Sequence, residues 1–289
     1  MYNFPIDKEL FQDTLGLSCV ENLLIYALRS ANLTYPCLFY RSHLSLPEII
    51  HEFTVNRSSY AEFCAVERIQ NLAMQNGLLE MELLPSLTDD LYSAEDAWLM
   101  VMLTPEAMRE KYHTDMWRDD HYILLGNAEG EKITYFNDTP RDIGTITRDE
   151  LKRIFGGRVI RMRLTGEPFD RRRDDYLKEL YHSLQDKSVD VQLDYSDMAV
   201  LRDILGILRI LRKRVMKFAS LYTDVGAFHA YLDYLDKQYT VCEYRRLRKR
   251  VDPQYSKAFF DELIEEDEKW IYLMKEKLTN VMEAFDHDQ

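Results

Sequence analysis

Two stretches decide the fold: Asp120-His121-Tyr122-Ile123-Leu124-Leu125-Gly126 and Lys132-Ile133-Thr134-Tyr135-Phe136-Asn137-Asp138. Each is a short apolar run rich in β-branched and aromatic residues, which is the pattern of a strand. Ala128-Glu129-Gly130-Glu131 lies between them and has the composition of a turn. The two stretches therefore predict an antiparallel hairpin.

The predicted hairpin brings polar side chains together at one end. His121 opens the first strand, and Asp138 directly follows the second. In an antiparallel pair such positions lie close to each other. Asn137 could orient the imidazole instead of Asp138, because an amide oxygen can also accept from a ring N–H. Neighbouring strand residues point to opposite faces, so only one of the two can serve.

About 100 residues earlier, a cysteine stands at a predicted helix start. Cys19 lies in Gly16-Leu17-Ser18-Cys19-Val20-Glu21-Asn22, with Ser18 as a candidate N-cap and Glu21 three residues on. The following apolar residues recur at helical spacing: Val20, Leu23, Leu24, Ala27 and Leu28. The positive end of the helix dipole is expected to lower the pKa of the Cys19 thiol from about 8.5 toward the physiological range.

Cys19, His121 and Asp138 are the residue types of a nucleophilic site, in the chain order Cys, His, Asp. We expect Cys19 to be the nucleophile, His121 the general base and acid, and Asp138 the group that orients the imidazole. The main-chain amide of Cys19 can donate to an oxyanion. Gln12, just upstream, is a candidate side-chain donor for the same purpose.

The rest of the chain predicts an α+β domain followed by an all-α helical bundle, with the boundary between residues 1–167 and 168–289. Further strands are predicted at 36–40, 80–84, 97–103 and 158–164. Helices are predicted from Leu46, over 60–76 and over 147–155, and a short helix or turn after Thr104. Residues 111–120 are interpreted as a loop. Beyond Pro168 the pattern predicts helices near 174–185, 196–222, 225–248 and 254–284, with short connections typical of an antiparallel bundle.

Composition excludes several classes of function. The net charge of −13 over 289 residues argues against nucleic acid as the main partner. No apolar run approaches the ~20 residues of a membrane span, and the start has no leader pattern, so a cytoplasmic protein is expected. Four cysteines without a CxxC pair predict neither a disulfide framework nor a structural zinc site. The possible ligands His113, Asp115, Asp119, Asp120 and His121 have no recognised spacing, and no metal is expected.

The Ser18-Cys19 helix start and the pattern Asp-His-Tyr-Ile-Leu-Leu-Gly followed by Tyr-Phe-Asn-Asp-Thr-Pro resemble the papain-like superfamily, and within it the family of the butirosin biosynthesis protein H N-terminal domain. The resemblance covers about residues 10–165. It implies a papain-like domain with an N-terminal nucleophile helix and an antiparallel sheet. The position of the oxyanion glutamine in papain-like enzymes falls on Asp13, and Gln12 precedes it by one residue.

The resemblance also implies an activity. The family is associated with transfer of an acyl group from a carrier-protein thioester to an amine, through an acyl-cysteine, in secondary-metabolite or nonribosomal peptide biosynthesis. The carrier would bring phosphopantetheine, and no cofactor of the protein's own is expected. Because carrier proteins are acidic, basic residues of the helical region become candidates for docking one: Arg209, Arg212, Arg214, Arg246 and Lys249.

Two alternatives stay open. The same site with water as the acceptor would make the protein a peptidase, amidase or thioesterase. A non-catalytic protein that binds a partner through this scaffold is the third possibility, because free cysteines are commonly small buried hydrophobes.

Overall fold

The computed structural model describes residues 15–31, 33–58, 69–89, 91, 97–113, 121–165, 173–185 and 192–287. The fold is α+β, as predicted. The chain divides into two compact units, the first formed by residues 1–35 and 68–168 and the second by 36–67 and 169–289. This division differs from the predicted one in residues 36–67, which had been assigned to the N-terminal domain. Of the described residues in this range, the Pro36–Phe39 turn and the helix Leu46–Thr54 pack on the helix Met198–Ala219 of that unit.

The first unit is an antiparallel sheet with helices. Its strands are β1 (Leu79–Leu84), β2 (Trp98–Leu103), β3 (His121–Glu129), β4 (Lys132–Asn137), β5 (Asp142–Thr147) and β6 (Phe155–Leu164), paired in the order β1-β6-β2-β3-β4-β5. Its helices are α1 (Cys19–Ser30), α3 (Ile69–Gln75), α4 (Pro105–Tyr112) and α5 (Arg148–Ile154).

The predicted hairpin is confirmed as β3 and β4. Leu124 lies opposite Phe136 and Leu125 opposite Tyr135, with a register shift before Ala128. Phe136 lies against α1, where its ring centroid is 4.1 Å from that of Tyr26. Alternate residues of β2, β3 and β4 face the other side and form a separate apolar layer there. The hairpin thus lies between α1 and a second core.

Several sequence predictions need correction. Residues 36–39 form a short 3₁₀ helix, Pro36–Phe39, and not a strand. Helix α4 extends to Tyr112, into the stretch that had been interpreted as a loop. Strand β5 was not predicted, and β6 begins at Phe155, before the predicted residue 158. The predicted helix over 60–76 is described only as Ile69–Gln75, and the earlier part of that prediction lies outside the described residues.

The described part of the second unit is helical. It contains α2 (Leu46–Thr54), α6 (Arg173–Ser183), α7 (Met198–Ala219), α8 (His229–Leu247) and α9 (Pro253–His287), with a 3₁₀ turn at Gly226–Phe228. The four helices predicted beyond Pro168 are all present. Helix α7 packs against α8, α2 and the Pro36–Phe39 turn. Within the described ranges, no helix has both the length and the apolar character needed to cross a membrane.

Candidate active site

A reciprocal cap fixes the start of helix α1. The Glu21 amide donates to Ser18 Oγ at 3.3 Å, and the Ser18 amide donates to Glu21 Oε2 at 2.8 Å. The buried Glu21 carboxylate also accepts from the backbone amide of Ile69 at 3.1 Å, through Oε1. The cap predicted from Ser18 and Glu21 is therefore confirmed, and it makes Cys19 the first residue of the helix.

The Cys19 thiol is partly buried beside the start of β3. The backbone amides of Tyr122, Val20 and Cys19 lie near the sulfur, and their positive ends favour its thiolate form. Burial and then the negative charge of Asp138 raise the pKa of this thiol to about 11, against the opposing effect of the three amides. The expected lowering of the pKa is therefore wrong, because desolvation and a neighbouring carboxylate outweigh the donors at the helix start.

The His121 imidazole is held by Asn137. His121 Nε2 lies 2.6 Å from Asn137 Oδ1, and both side chains are buried. The Asn137 amide nitrogen donates to the carbonyls of Thr139 at 3.3 Å and Pro140 at 2.9 Å, so its oxygen must face the ring. Nε2 therefore carries the hydrogen of the neutral imidazole, and Nδ1 is the nitrogen with the lone pair that can accept a proton.

Asp138 lies beside this pair without making the predicted hydrogen bond. Its Oδ1 is 3.9 Å from His121 Nε2, which is too long for a hydrogen bond. Its Oδ2 accepts from Asn22 Nδ2 at 3.1 Å. Strand β4 ends at Asn137, so Asp138 lies in the turn that follows. The alternation of side chains along a strand therefore does not force Asn137 and Asp138 onto opposite faces of the sheet. The residue that orients the imidazole is thus Asn137, the predicted alternate, and not Asp138.

A polar cluster supports the turn that follows Asn137. Tyr112 and Tyr135 donate to Asp142 Oδ2 at 2.9 and 2.5 Å, and Lys111 Nζ lies 3.2 Å from the same oxygen. The Tyr112 hydroxyl also contacts the Asn137 side chain. Sequence analysis did not identify this cluster, because its members come from α4, β4 and β5 and share no local motif.

Sequence analysis also missed Asn22. It lies three residues after Cys19, so helical spacing places both on one face of α1. This spacing is the sequence feature from which Asn22 could have been identified as a site residue. Gln12 and Asp13 lie outside the described residues, and the structure says nothing of a side-chain donor for an oxyanion. Cys19's own backbone amide at the start of α1 is the described candidate.

The five predicted docking residues differ in their surroundings. Arg212 is fully buried, donating to Asp267 at 2.8 and 2.6 Å and to the Leu44 carbonyl at 3.0 Å. Arg214 is also buried, with its guanidinium 5.7 Å from the Phe39 ring centroid. These two cannot contact a partner, because each lies in the core of the helical unit. That part of the prediction is wrong.

The other three predicted docking residues are more accessible. Arg209 lies 3.3 Å from Asp236 and above the Tyr239 ring, and Arg246 pairs with Glu243 at 2.7 Å. Lys249 is exposed after the end of α8. Such surface pairs screen part of the positive charge that a docking site would need.

No protein-family model matches this chain, and no curated protein sequence does. The resemblance to the butirosin biosynthesis protein H family therefore stays a prediction. Among the described side chains, no group of three His, Cys, Asp or Glu residues is arranged to hold a metal ion.

Proposed function

We propose that this protein is a cysteine-dependent acyltransferase that moves an acyl or aminoacyl group from a carrier-protein thioester to an amine or hydroxyl acceptor. The observation that carries the proposal is the hydrogen bond of 2.6 Å between His121 Nε2 and Asn137 Oδ1. The Cys19 thiol lies beside it, near the backbone amide of Tyr122, the residue after His121. Cys, His and Asn in these roles are the parts of a papain-like site.

The proposed reaction has two halves. His121 Nδ1 takes the thiol proton while Cys19 Sγ attacks the thioester carbonyl, and the Cys19 amide donates to the oxyanion. The carbon–sulfur bond to the carrier's phosphopantetheine then breaks, and the leaving thiolate takes the proton from His121. In the second half the acceptor attacks acyl-Cys19, His121 removes its proton, and the thiol is restored.

A thioester donor suits this site. A thiol with a pKa of about 11 is almost wholly protonated near neutral pH, so it must lose its proton to His121 during the attack. A thioester has a good leaving group and tolerates such a nucleophile better than a peptide bond does. Acyl transfer from a thioester is therefore favoured over proteolysis. It fits the carrier partner that the resemblance implies and the cytoplasmic setting expected from the sequence.

Two further candidates share this scaffold. Water in place of the acceptor would give a thioesterase or amidase with the same residues. Partial burial of Cys19 and its raised pKa are the observations that favour a non-catalytic binding protein. Product analysis with and without an amine separates transfer from hydrolysis, and lack of any acyl-Cys19 favours binding alone.

The test uses the purified chain with an acyl-pantetheine thioester. We expect one acyl group to be added at Cys19 and to be passed on when an amine is supplied. Cys19→Ser should abolish the adduct, whereas Cys242→Ser, which alters a buried cysteine of the other unit, should retain it. An adduct that is independent of Cys19 would refute the proposal.

A further inference from the structure

A pocket lies within the second unit, between helices α7, α8 and α9. Its volume is about 280 Å³, part of which is open to solvent. We call it the α8–α9 pocket. Its walls are mainly apolar and come from all three helices, with the residues Leu201, Val241, Cys242, Phe259 and Phe260. Sites for small molecules typically combine such walls with a few polar groups that orient the ligand.

Arg245 lines the α8–α9 pocket and pairs with no carboxylate in the described part of the chain. Its guanidinium carbon lies 4.0 Å from the ring centroid of Tyr255, and its Nε is buried without an acceptor. The acidic residues closest to it in sequence have other partners. Glu243 pairs with Arg246 at 2.7 Å, and Asp252 accepts from a backbone amide of α9 at 3.1 Å. A contact with a ring face uses none of the N–H groups in the guanidinium plane, so these remain for a second partner.

Ser256 supplies a second donor to the same pocket. It lies near the start of α9 and is only 3 % exposed. Its hydroxyl donates to the thioether sulfur of Met198 at 3.9 Å, and no oxygen accepts from it among the described residues. A thioether is a weak acceptor, so a ligand oxygen would be the better partner. The α8–α9 pocket therefore contains two donors that suit an oxygen anion.

The chain around Arg245 is strongly basic. Residues 244–251 carry five cations and no acidic side chain, although the whole chain has a net charge of −13. Arg248, Lys249 and Arg250 in this segment are exposed. Their field raises the local concentration of anions and lowers that of cations. Charge complementarity thus points to an anionic ligand, whereas the apolar walls of the pocket suit a ligand whose remaining part is apolar.

We propose that the α8–α9 pocket binds a small carboxylate with an apolar body. The carboxylate accepts from the Arg245 guanidinium, which offers two parallel N–H donors to such a group, and from the Ser256 hydroxyl. The pocket is slightly smaller than the about 300–1,000 Å³ of sites for drug-sized ligands, so a short body such as that of hexanoate fits it. The proposal is independent of the proposed acyl transfer, because it uses none of the residues Cys19, His121 and Asn137.

The test titrates the purified chain with sodium hexanoate by ligand-observed NMR. We expect saturable binding with a Kd of about 0.1–1 mM, which is typical of a ligand this small. Butanoate should bind about tenfold more weakly, because fewer methylene groups are buried. Hexanamide has nearly the same shape without the charge, and it should bind at least about tenfold more weakly than hexanoate.

Three variants test where the ligand binds. Arg245→Gln should weaken hexanoate at least about tenfold and bring its affinity within about threefold of that of hexanamide, because the group that distinguishes the two ligands is lost. Arg248→Gln is the matched control: it removes the same charge from a residue whose guanidinium lies over the Tyr244 ring and outside the pocket lining. It should change neither affinity by more than about twofold. Val241→Phe places a larger side chain in the pocket wall and should weaken both ligands.

Equal affinities of the wild-type chain for hexanoate and hexanamide would overturn the proposal, and so would a lack of saturable hexanoate binding. Equal weakening by Arg245→Gln and Arg248→Gln would assign the binding to the general positive field and contradict a site at Arg245. Unchanged binding to Val241→Phe, with an unchanged melting temperature, would contradict binding in the pocket. If Arg245→Gln lowered the melting temperature, the comparison of the two ligands on the wild-type chain would still test the requirement for a carboxylate.

Discussion

At the scale of single residues, the orientation of the His121 imidazole depends on whether Asn137 or Asp138 accepts the hydrogen bond from its Nε2. Asn137 Oδ1 and Asp138 Oδ1 lie 2.6 and 3.9 Å from the same imidazole nitrogen. The nearer oxygen belongs to an amide whose nitrogen donates to two backbone carbonyls. The orientation of the ring is therefore fixed by the turn after β4.

Replacing Asn137 by Ala should impair acyl transfer more than it impairs folding. Without the amide oxygen, His121 loses the partner that fixes its tautomer, and a misplaced base costs about 10²-fold in rate. The measurement is the rate of acyl-Cys19 formation, with the melting temperature as a check on the fold. Asn56→Ala, at an exposed asparagine, should leave the rate unchanged. Equal rates for the two variants would contradict the assignment of Asn137.

The pH dependence of Cys19 alkylation follows from its raised pKa. Since the thiolate is the reactive form and the pKa is about 11, the rate with iodoacetamide should rise about tenfold per pH unit between about pH 7 and 10. Peptide mapping separates Cys19 from Cys37, whose pKa burial raises to about 12. A rate that levels off near neutral pH would show a stabilised thiolate and contradict this electrostatic description.

At the scale of elements, two helices begin with the same capping box. Ser18 and Glu21 cap α1, and Ser45 and Glu48 cap α2 in the other unit. Both caps consist of a serine and a glutamate joined by two reciprocal bonds, and the serine hydroxyl lies 3.3 Å from the glutamate amide in both. In addition, Ser45 Oγ donates to Glu48 Oε2 at 2.9 Å, and Glu21 accepts from the Ile69 amide. The two caps can be compared directly, because only the cap of α1 is followed by a candidate nucleophile, Cys19.

Ser18→Ala and Ser45→Ala should each lower the free energy of unfolding by about 1 kcal/mol, because each leaves a helix amide without its acceptor. Only Ser18→Ala should change the alkylation rate of Cys19, since that cap fixes the turn in which the thiol lies. Chemical denaturation and peptide mapping give the two readouts. A change in the Cys19 alkylation rate of equal size in both variants would show that the cap does not position the thiol.

The sequence predicted the elements whose signals are local. The cap of α1 and the β3–β4 hairpin each lie within a few residues of chain, and both are confirmed. Strand β5 has no such signal: it is an edge strand with Ile143 exposed and Gly144 close under the Tyr135 ring, where a Cβ would lie 2.8 Å from the hydroxyl oxygen. Only residues 138–141 separate it from β4, but residues 142–147 lack the regular alternation of apolar and polar residues that would mark a strand.

The site was predictable as a set of residues and not as a set of roles. Cys19, His121 and the Asn137-Asp138 pair follow from strand and helix boundaries. The choice between Asn137 and Asp138 depends on distances of a few ångströms at a strand end, and the thiol pKa depends on burial by residues far apart in sequence. No local sequence pattern predicts these distances or the pKa of the thiol.

At the scale of the whole molecule, the helical unit contains an ion pair in its core. Arg212 and Asp267 join α7 to α9, the Tyr231 hydroxyl donates to the same carboxylate at 2.8 Å, and Arg212 reaches the Leu44 carbonyl. The indole of Trp270 lies 4.9 Å from the guanidinium carbon. These bonds attach Leu44, in the segment before α2, to the helices α7 and α9.

Arg212→Met should destabilise the protein by about 3–5 kcal/mol, because it leaves the Asp267 carboxylate buried without its partner. The double variant Arg212→Met with Asp267→Leu should recover a large part of this loss. Arg248→Met, at an exposed arginine, should change stability by no more than about 0.5 kcal/mol. The measurement is urea denaturation, and an Arg212→Met loss as small as that of Arg248→Met would contradict a structural role for the pair.

Cys19 is proposed to form a covalent acyl intermediate, and intact-protein mass spectrometry detects such an intermediate. The wild-type chain is incubated with an acyl-pantetheine thioester, quenched in acid and digested to locate the adduct. We predict a single acyl addition on the Cys19 peptide, which is absent in Cys19→Ser, strongly reduced in His121→Ala and retained in Cys242→Ser. An unmodified Cys19 peptide in the wild-type protein, with the fold intact, would contradict the account.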